Sequence, residues 1–378
     1  MRARPAIEAT QFVNTLSTSD GGPARNSFEL NLALNAAGVP TALVVVDGKE
    51  EGSVAISGDD VLPTPGPLFL RSRSEKNSRQ LSPLSAWKRI RSSNVVIIHG
   101  YYLLWAPLVA LACIIQRRDF VIMPHGALTA HQQLHSRLRK RLFDVGPGRL
   151  LRRVSLFAVG SEREKSELAL RFPKTRIVVV GAGTRLNRDA PESRGPNSPI
   201  RLLSMSRIAP KKRIDLMVRA LSELESLGIA AELWIAGEGD PALKAQLAHL
   251  AETLGVDTRV TFLGVVAGAE KETLYGKADL FLLPSDDENF GIGLAEALAH
   301  GLPSVVSANV AAGSFMEGRG GRVIAEPDGV SIALAIQELL SEDWATLRND
   351  AFEVARRSFS WESVAGRWIH QINSLVRP

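Results

Sequence analysis

Two series of short apolar runs, each run followed by a stretch of helical period, set the architecture of this chain. In the first series the runs are Ile7–Val13, Ala42–Val46, Val95–Ile98, Phe120–Met123, Leu156–Val159 and Ile177–Val180. The second has Arg201–Met205, Glu232–Ala236, Val260–Leu263, Leu280–Leu283 and Ser304–Ser307. Apolar on both faces, such runs suit strands covered from two sides, the habit of a parallel sheet with helical crossovers. Helices are expected from Pro23 to Ala37, over Lys212–Leu227, Ala242–Leu254 and Lys271–Lys277, and up to Gly301, with most of the last 50 residues helical too. The fold class that follows is α/β, with two doubly wound, Rossmann-like domains facing each other across a cleft.

At 378 residues the chain is too long for one ordinary core. Gly181–Pro199 has no apolar periodicity and reads as a linker. The expected division is a first domain over 1–181, a linker over 182–199, a second domain over 200–360, and a closing helix over 361–378 that can cross back to the first domain. Residues 48–84 are rich in Gly, Pro, Ser and charge, so irregular structure is expected there.

Val95–Ile115 is 21 residues long without a charge. His99, Gly100 and Pro107 interrupt it, so a buried strand, a loop and a covered helix are expected in place of a membrane span. Arg2 and Arg4 have no long apolar stretch behind them, which argues against a signal peptide. Cys113 is the only cysteine, so an internal disulfide is excluded and a reducing, cytoplasmic setting is expected. Charge divides unevenly. Residues 1–180 hold 25 Lys and Arg against 14 Asp and Glu, and the remainder 20 against 26. The densest basic patch is 137–153, where Arg137, Arg139, Lys140, Arg141, Arg149, Arg152 and Arg153 are opposed only by Asp144. Interleaved with Leu138, Leu142, Phe143, Leu150 and Leu151, it can lie against an anionic membrane surface or form a solvated helix face. No nucleic-acid-binding module accompanies it, and nucleic acid is not an expected partner.

The stretch richest in chemistry is 281–305. A strand ending at Pro284 leads through Ser285–Asn289 into a helix from Phe290 or Gly291, so a helix N-terminus opens at the carboxyl end of a strand. Free N–H groups at Asn289, Phe290, Gly291 and Ile292, with the helix dipole behind them, favour an anion. Glu288 precedes that helix and Glu296 lies about one turn inside it; each can meet a ligand, or Glu288 can cap the helix and Glu296 face solvent. Arg207, Lys211 and Lys212 follow the first strand of the second series, where three cations ahead of a helix call for a compensating anion. Gly237-Glu238-Gly239 ends another strand, and Gly21-Gly22-Pro23 sits at the first strand-to-helix turn. His99 and His125 end strands of the first series, His125 being the better candidate for a sugar hydroxyl or phosphate. Asp286-Asp287-Glu288 suits either a magnesium ion or an exposed loop, and no His/Cys spacing indicates zinc.

These motifs together resemble the retaining glycosyltransferases of family 4, which have the two-domain GT-B fold, of the type that builds bacterial exopolysaccharide and lipopolysaccharide. The matching pieces are Asp20-Gly21-Gly22-Pro23-Ala24, Met123-Pro124-His125-Gly126-Ala127-Leu128, Gly160-Ser161-Glu162-Arg163-Glu164, Ser206-Arg207-Ile208 with Lys212, Ile235-Ala236-Gly237-Glu238-Gly239, Phe262-Leu263-Gly264 and Leu283-Pro284-Ser285. Most specific are Glu288 and Glu296 with seven residues between them. The resemblance implies that Arg207 and Lys212 neutralise the diphosphate of a nucleotide-sugar donor, that Glu288 contacts the sugar and Glu296 the ribose, that Gly21 and Gly22 touch the diphosphate, and that His125 lies near the sugar. It also implies a lipid-linked saccharide or polysaccharide acceptor, work at the inner membrane face, and no bound metal or other cofactor. Two departures bear on base and donor contacts. Val180-Gly181-Ala182-Gly183 stands where members often have Pro-Asn-Gly, and Arg213 where Gly is common. A nucleotide-sugar epimerase on the same fold, or a non-catalytic nucleotide-sugar binder, would share such a site. A dehydrogenase using Gly181-Ala182-Gly183 would need a third Gly and a following helix.

Overall fold

The computed structural model describes residues 7–16, 22–47, 68–69, 82–133, 136–186, 194–316 and 318–376. Gly21, Arg2, Arg4, most of 48–84 and residues 187–193 of the expected linker lie outside them. The chain divides into two compact units, Met1–Gly183 with Trp361–Pro378, and Thr184–Ser360.

In the first unit the strands are β1 (Ala9–Val13), β2 (Thr41–Val45), β3 (Leu68–Phe69), β4 (Val95–His99), β5 (Asp119–Met123), β6 (Leu156–Val159) and β7 (Ile177–Val179). Among the described residues they form one parallel sheet in the order β3-β2-β1-β4-β5-β6-β7. The order reverses between β1 and β4, which creates a switch point at their carboxyl ends. Every residue of β4 is buried, and its period of two sends Val96 and Ile98 into one core and Val95 and Ile97 into another. The helices are α1 (Gly22–Ala36), α2 (Pro83–Ser92), α3 (Ala106–Ile115), α4 (Ala130–Gln133), α5 (Arg137–Val145) and α6 (Glu162–Arg171).

Three expectations need correction here. Gly22, expected in the turn ahead of a helix from Pro23, is the first residue of α1, with Pro23 in the helix's first turn. The 48–84 stretch contributes β3, a two-residue edge strand paired to β2, and α2 starts before its end; Ser82 caps that helix by accepting the Ser85 N–H at 3.1 Å, with Pro83 next to it. The helix after Pro107 is not covered all round. Cys113 is buried, but Leu108, Leu111 and Ile115 of α3 face outward.

The second unit has β8 (Ile200–Met205), β9 (Ala231–Ala236), β10 (Val260–Gly264), β11 (Leu280–Leu283), β12 (Ser304–Ser307) and β13 (Gly321–Ile324), with α7 (Ile214–Ser226), α8 (Pro241–Thr253), α9 (Gly268–Lys277), α10 (Ile292–Ala299), α11 (Gly329–Leu340) and α12 (Trp344–Ser358). Its described strands are parallel in the order β10-β9-β8-β11-β12-β13, so the switch point lies between β8 and β11. The helix expected from Lys212 begins later. Pro210–Lys212 is a single 3-10 turn, Arg213 takes a left-handed conformation (φ 51°), and α7 starts at Ile214. β13 is not expected from the sequence, because Gly-Arg-Val-Ile is a half-exposed edge strand with a charge inside it.

The chain closes with α13 (Trp361–Leu375), which packs on α1 and buries Trp368 and Ile372 beside Leu30, Leu34 and Val95. A β-carbon at Gly183 would sit 2.4 Å from the Trp361 ring, and Gly181 takes φ +76°. Those glycines seat α13, which accounts for them without a dinucleotide. No described helix is long and apolar enough to cross a membrane.

Candidate active site

The loops after β8 and β11, on either side of the second switch point, carry most of the site. Lys212 ion-pairs with Glu288, and both side chains are largely buried. The Lys211 carbonyl accepts the Asp286 N–H at 2.8 Å, and Arg213 donates to Asp286 Oδ1 at 3.1 Å while gripping Asp215. Those carboxylates raise the Arg213 pKa, with the Asp215 hydrogen bond the larger cause. The compensating anions sought for the cations after β8 are therefore supplied in part by the protein itself. Arg207 differs. It is exposed and makes no ion pair among the described residues. Arg213 also explains its own position: the turn needs φ near +51°, a conformation that glycine adopts freely, and two carboxylates hold an arginine in it instead.

Beyond Glu288 the loop is pinned to 309–312. The Glu288 N–H donates to the Asn309 carbonyl at 3.1 Å, and the Ala312 N–H to the Phe290 carbonyl at 2.7 Å. Phe290 is buried edge-on to Phe359. Gly291 takes φ +102° as N-cap of α10, and a β-carbon there would meet Val310 at 2.7 Å. No side chain caps this helix, so the Ile292 end keeps free N–H groups for an anion. At Gly293 a β-carbon would lie 3.1 Å from the Met205 carbonyl oxygen, so its absence lets the first turn of α10 rest on the end of β8.

Gly237 and Gly239 have a structural reason of their own. A β-carbon at either would sit 1.9 Å from the carbonyl oxygen of Ser206 or Ile208 respectively. The turn runs flush beside the Arg207 loop, with the Ile208 N–H bonded to the Glu238 carbonyl at 2.8 Å. Glu238 itself is exposed.

Glu296 is not a solvated helix residue. Lys271 holds its Oε1 at 2.6 Å and the Tyr275 hydroxyl donates to its Oε2 at 3.1 Å. His300 stacks on Tyr275 and bonds the Glu296 carbonyl at 2.8 Å and Glu272 at 2.5 Å. Burial alone would lower the His300 pKa, but these acceptors outweigh it and raise it. Sequence reasoning passes over Lys271 and Tyr275; their i, i+4 spacing on α9 is the available signal. Asp286 and Glu288 are engaged with Arg213 and Lys212, and the described residues contain no group of three His, Cys, Asp or Glu side chains placed to hold a metal.

In the first unit, His99 and His125 are not independent. His99 Nδ1 lies 2.9 Å from His125 Nε2, and His99 Nε2 lies 2.7 Å from Gln11 Oε1 on β1. Burial pushes the His125 pKa down to about 4 and that of His99 well below its usual value. His125 sits at φ +51°, and the next residue is pinned because the Gly126 N–H donates to Glu164 at 2.7 Å. The same carboxylate accepts the Gly160 N–H at 2.9 Å, and burial raises its pKa. Gln11 is not among the expected site residues, although a glutamine inside an apolar strand is itself a signal. Around Gly22 a β-carbon would meet open space.

The basic patch has an apolar stripe. Leu138, Leu142 and Val145 lie on one side of α5 and are all exposed, whereas Phe143 and Leu151 are buried. α5 packs against the 147–153 turn, that turn against α3, and α3 against α2, and Leu84, Trp87, Leu108, Leu111 and Ile115 of α2 and α3 are exposed as well. Asp144 is tied to Arg171 and Lys140 turns back over the Tyr102 ring, and the surrounding arginines form no ion pair among the described residues.

Comparison with known proteins covers both halves. Residues 21–183 match the family described as Glycosyl transferase 4-like domain, and residues 187–358 match Glycosyl transferases group 1. An uncharacterized glycosyltransferase of Methanocaldococcus jannaschii is 34% identical over 175 residues, 43% of this chain and 42% of its own length. The D-inositol 3-phosphate glycosyltransferase of Rhodococcus opacus is 34% identical over 229 residues, 55% of this chain and 50% of its own. The chain thus spans about half the length of the curated relatives it matches. HepE of Anabaena, solved with UDP and glucose, superposes with a TM-score of 0.69 at 18% identity, covering 97% of this chain and all of that one. Matched on each half to a glycosyltransferase family and folded as two doubly wound units, the chain belongs to the family-4 glycosyltransferases of the GT-B fold.

Proposed function

We propose that this chain moves a sugar, with retention, from a nucleotide-diphosphate sugar to a lipid-linked saccharide or polysaccharide. The observation that carries the reading is the ring of groups at the β8/β11 switch point: Lys212 on Glu288, an Arg207 with no ion pair among the described residues, and the uncapped start of α10. Breaking a bond between a sugar and a diphosphate puts charge on the leaving oxygen, and fixed cations with aligned N–H groups stabilise that charge most in the transition state. Arg207 and Lys212 would bind the diphosphate, the backbone of Asn289 to Ile292 would face it, and Gly237 and Glu238 would border it. Glu288 then serves the sugar, and Glu296, oriented by Lys271 and Tyr275, the ribose diol. His125 is proposed as a neutral hydrogen-bonding group for a sugar hydroxyl.

UDP-hexoses are the first donors to assay, since HepE was solved with UDP and glucose. Incubation with a UDP-sugar panel and lipid-linked acceptors, followed by product NMR, tests transfer and retention together. UDP release coupled to an acceptor product of unchanged anomeric configuration is expected. An altered free nucleotide sugar with no acceptor product would mean epimerisation instead, and binding without turnover would mean a nucleotide-sugar binder. Because protein cations carry the leaving charge, the reaction is proposed to need no metal, and EDTA should leave the rate unchanged.

The exposed surface of α5, α3 and α2 supports a peripheral seat on the inner, anionic membrane face. Leucines and a tryptophan would enter the headgroup boundary while the arginines of 137–153 contact lipid phosphates.

A further inference from the structure

His99 and Gln11 lie beneath His125, in positions where the sheet would accept plain apolar residues. Gln11 is fully buried in the middle of β1, and its amide nitrogen has no partner among the described residues. Only its oxygen is used, against His99. We infer that Gln11 and His99 are positioning residues, a hydrogen-bonded relay that fixes which ring nitrogen of His125 carries the proton. This rests on His125 serving the reaction as proposed above.

The chemistry runs in one direction. An amide oxygen accepts and cannot donate, so the His99 nitrogen 2.7 Å from it, Nε2, must carry a hydrogen. A neutral imidazole holds one N–H, which leaves His99 Nδ1 as a lone pair. That nitrogen is 2.9 Å from His125 Nε2, so His125 must donate from Nε2. His125 Nδ1 is then a bare acceptor, suited to a hydroxyl and unsuited to a phosphate oxygen. The burial that keeps both rings neutral preserves this sense, because a second proton on His99 would reverse it. The rings lie 5.2 Å apart at 22°, and Glu164 clamps the following Gly126 N–H, so His125 has little freedom to turn away.

Gln11→Glu tests the relay with almost no change in shape. At a site as fully buried as that of Gln11, a carboxyl group has its pKa raised and takes up one proton from solvent, which then enters the chain of bonds. Whether that proton sits on the acid or on the imidazole, His99 Nδ1 becomes a donor, and His125 must accept at Nε2 and move its own proton to Nδ1. Imidazole 15N NMR of histidine-labelled protein, with His125 assigned by its loss in His125→Ala, reads the tautomers. In the wild-type protein at neutral pH, both His99 and His125 should be protonated at Nε2. In Gln11→Glu the unprotonated signal of His125 should shift from Nδ1 to Nε2. A wild-type His125 protonated at Nδ1 overturns the relay without any variant, and so does an unchanged His125 tautomer in a folded Gln11→Glu protein whose carboxyl 13C or imidazole 15N signals show the extra proton bound. Activity is read separately. His125→Ala should lower kcat about tenfold or more, the value of one buried hydrogen bond. Full activity there would remove the proposed role of His125, while the tautomers seen by NMR would still decide the relay.

Discussion

Lys212 and Glu288 satisfy each other, and this decides how their variants should behave. Lys212→Ala removes the proposed leaving-group cation and strands a partly buried carboxylate. Its kcat should fall about 10²- to 10³-fold, the usual cost of one preorganised charge-stabilising group. Arg207 has no such internal partner among the described residues, so Arg207→Ala should weaken turnover while leaving the melting temperature within about 1 °C, as for most exposed substitutions. Arg213→Gly sets two small effects against each other. Relief of the left-handed backbone gains about 1 kcal/mol, and the partly exposed ion pairs to Asp215 and Asp286 are worth about 0–1 kcal/mol each. Denaturant midpoints should therefore move little, and a loss above about 3 kcal/mol would show that the two carboxylates hold the loop far more tightly than exposed pairs do. Gly237→Ala has no compensation. With a β-carbon 1.9 Å from a carbonyl oxygen, the turn must move away from the Arg207 loop, and donor affinity should suffer along with stability.

Elements carry the predictions about surfaces and pH. Sedimentation with phosphatidylglycerol vesicles should remove the protein from solution, and phosphatidylcholine vesicles should not. Replacing Arg137, Arg139 and Arg141 with Ala should weaken binding about 100-fold, at roughly 1 kcal/mol per cation. Lys140→Ala should matter less, because its ammonium already sits over Tyr102. Binding that ignores both salt and these arginines would contradict a membrane role for α5. His300, between α9 and α10, has a raised pKa, so its ion pair with Glu272 stabilises the fold fully below the unfolded pKa near 6.5. That contribution is lost as pH rises through the folded value. His125 has the opposite sign. Its folded pKa of about 4 means that stability drains away as pH falls from about 6.5 to 4, and His125→Asn should flatten that acid limb in pH-dependent urea melts. Much of the element order was legible beforehand, because β4, β5, β11 and β12 each contain a short apolar run, Val95–Ile98, Phe120–Met123, Leu280–Leu283 and Val305-Val306, buried on both faces. β3, β13 and α2 were not. Two are edge strands, one too short and one too polar to show a period, and α2 is signalled mainly by a Ser-Pro cap.

At the scale of the whole molecule, the sequence pointed to the second switch point through residues that sit close in the chain: Glu288, Gly291 and Glu296. It did not reveal what orients them, since Lys271 and Tyr275 reach Glu296 only when α9 packs beside α10. For the same reason Gln11 and His99, 88 positions apart, could not be connected before β1 and β4 were seen to pair. The charge division between the halves, 25 basic against 14 acidic residues and then 20 against 26, agrees with a first unit that meets an anionic surface. If UDP is the donor nucleotide, as proposed, then at about 100 times its Kd it should stabilise the protein by about 2.7 kcal/mol, or roughly 3 °C in melting temperature for 378 residues unfolding together. Lys212→Ala should lose most of that shift. The most direct test of the central claim is a coupled assay of nucleoside-diphosphate release and glycosylated acceptor, run on the wild-type protein and on Lys212→Ala with a matching circular-dichroism spectrum. The account predicts equal amounts of the two products from the wild-type protein and at least a hundredfold less from the variant. Full turnover by a folded Lys212→Ala protein would contradict it.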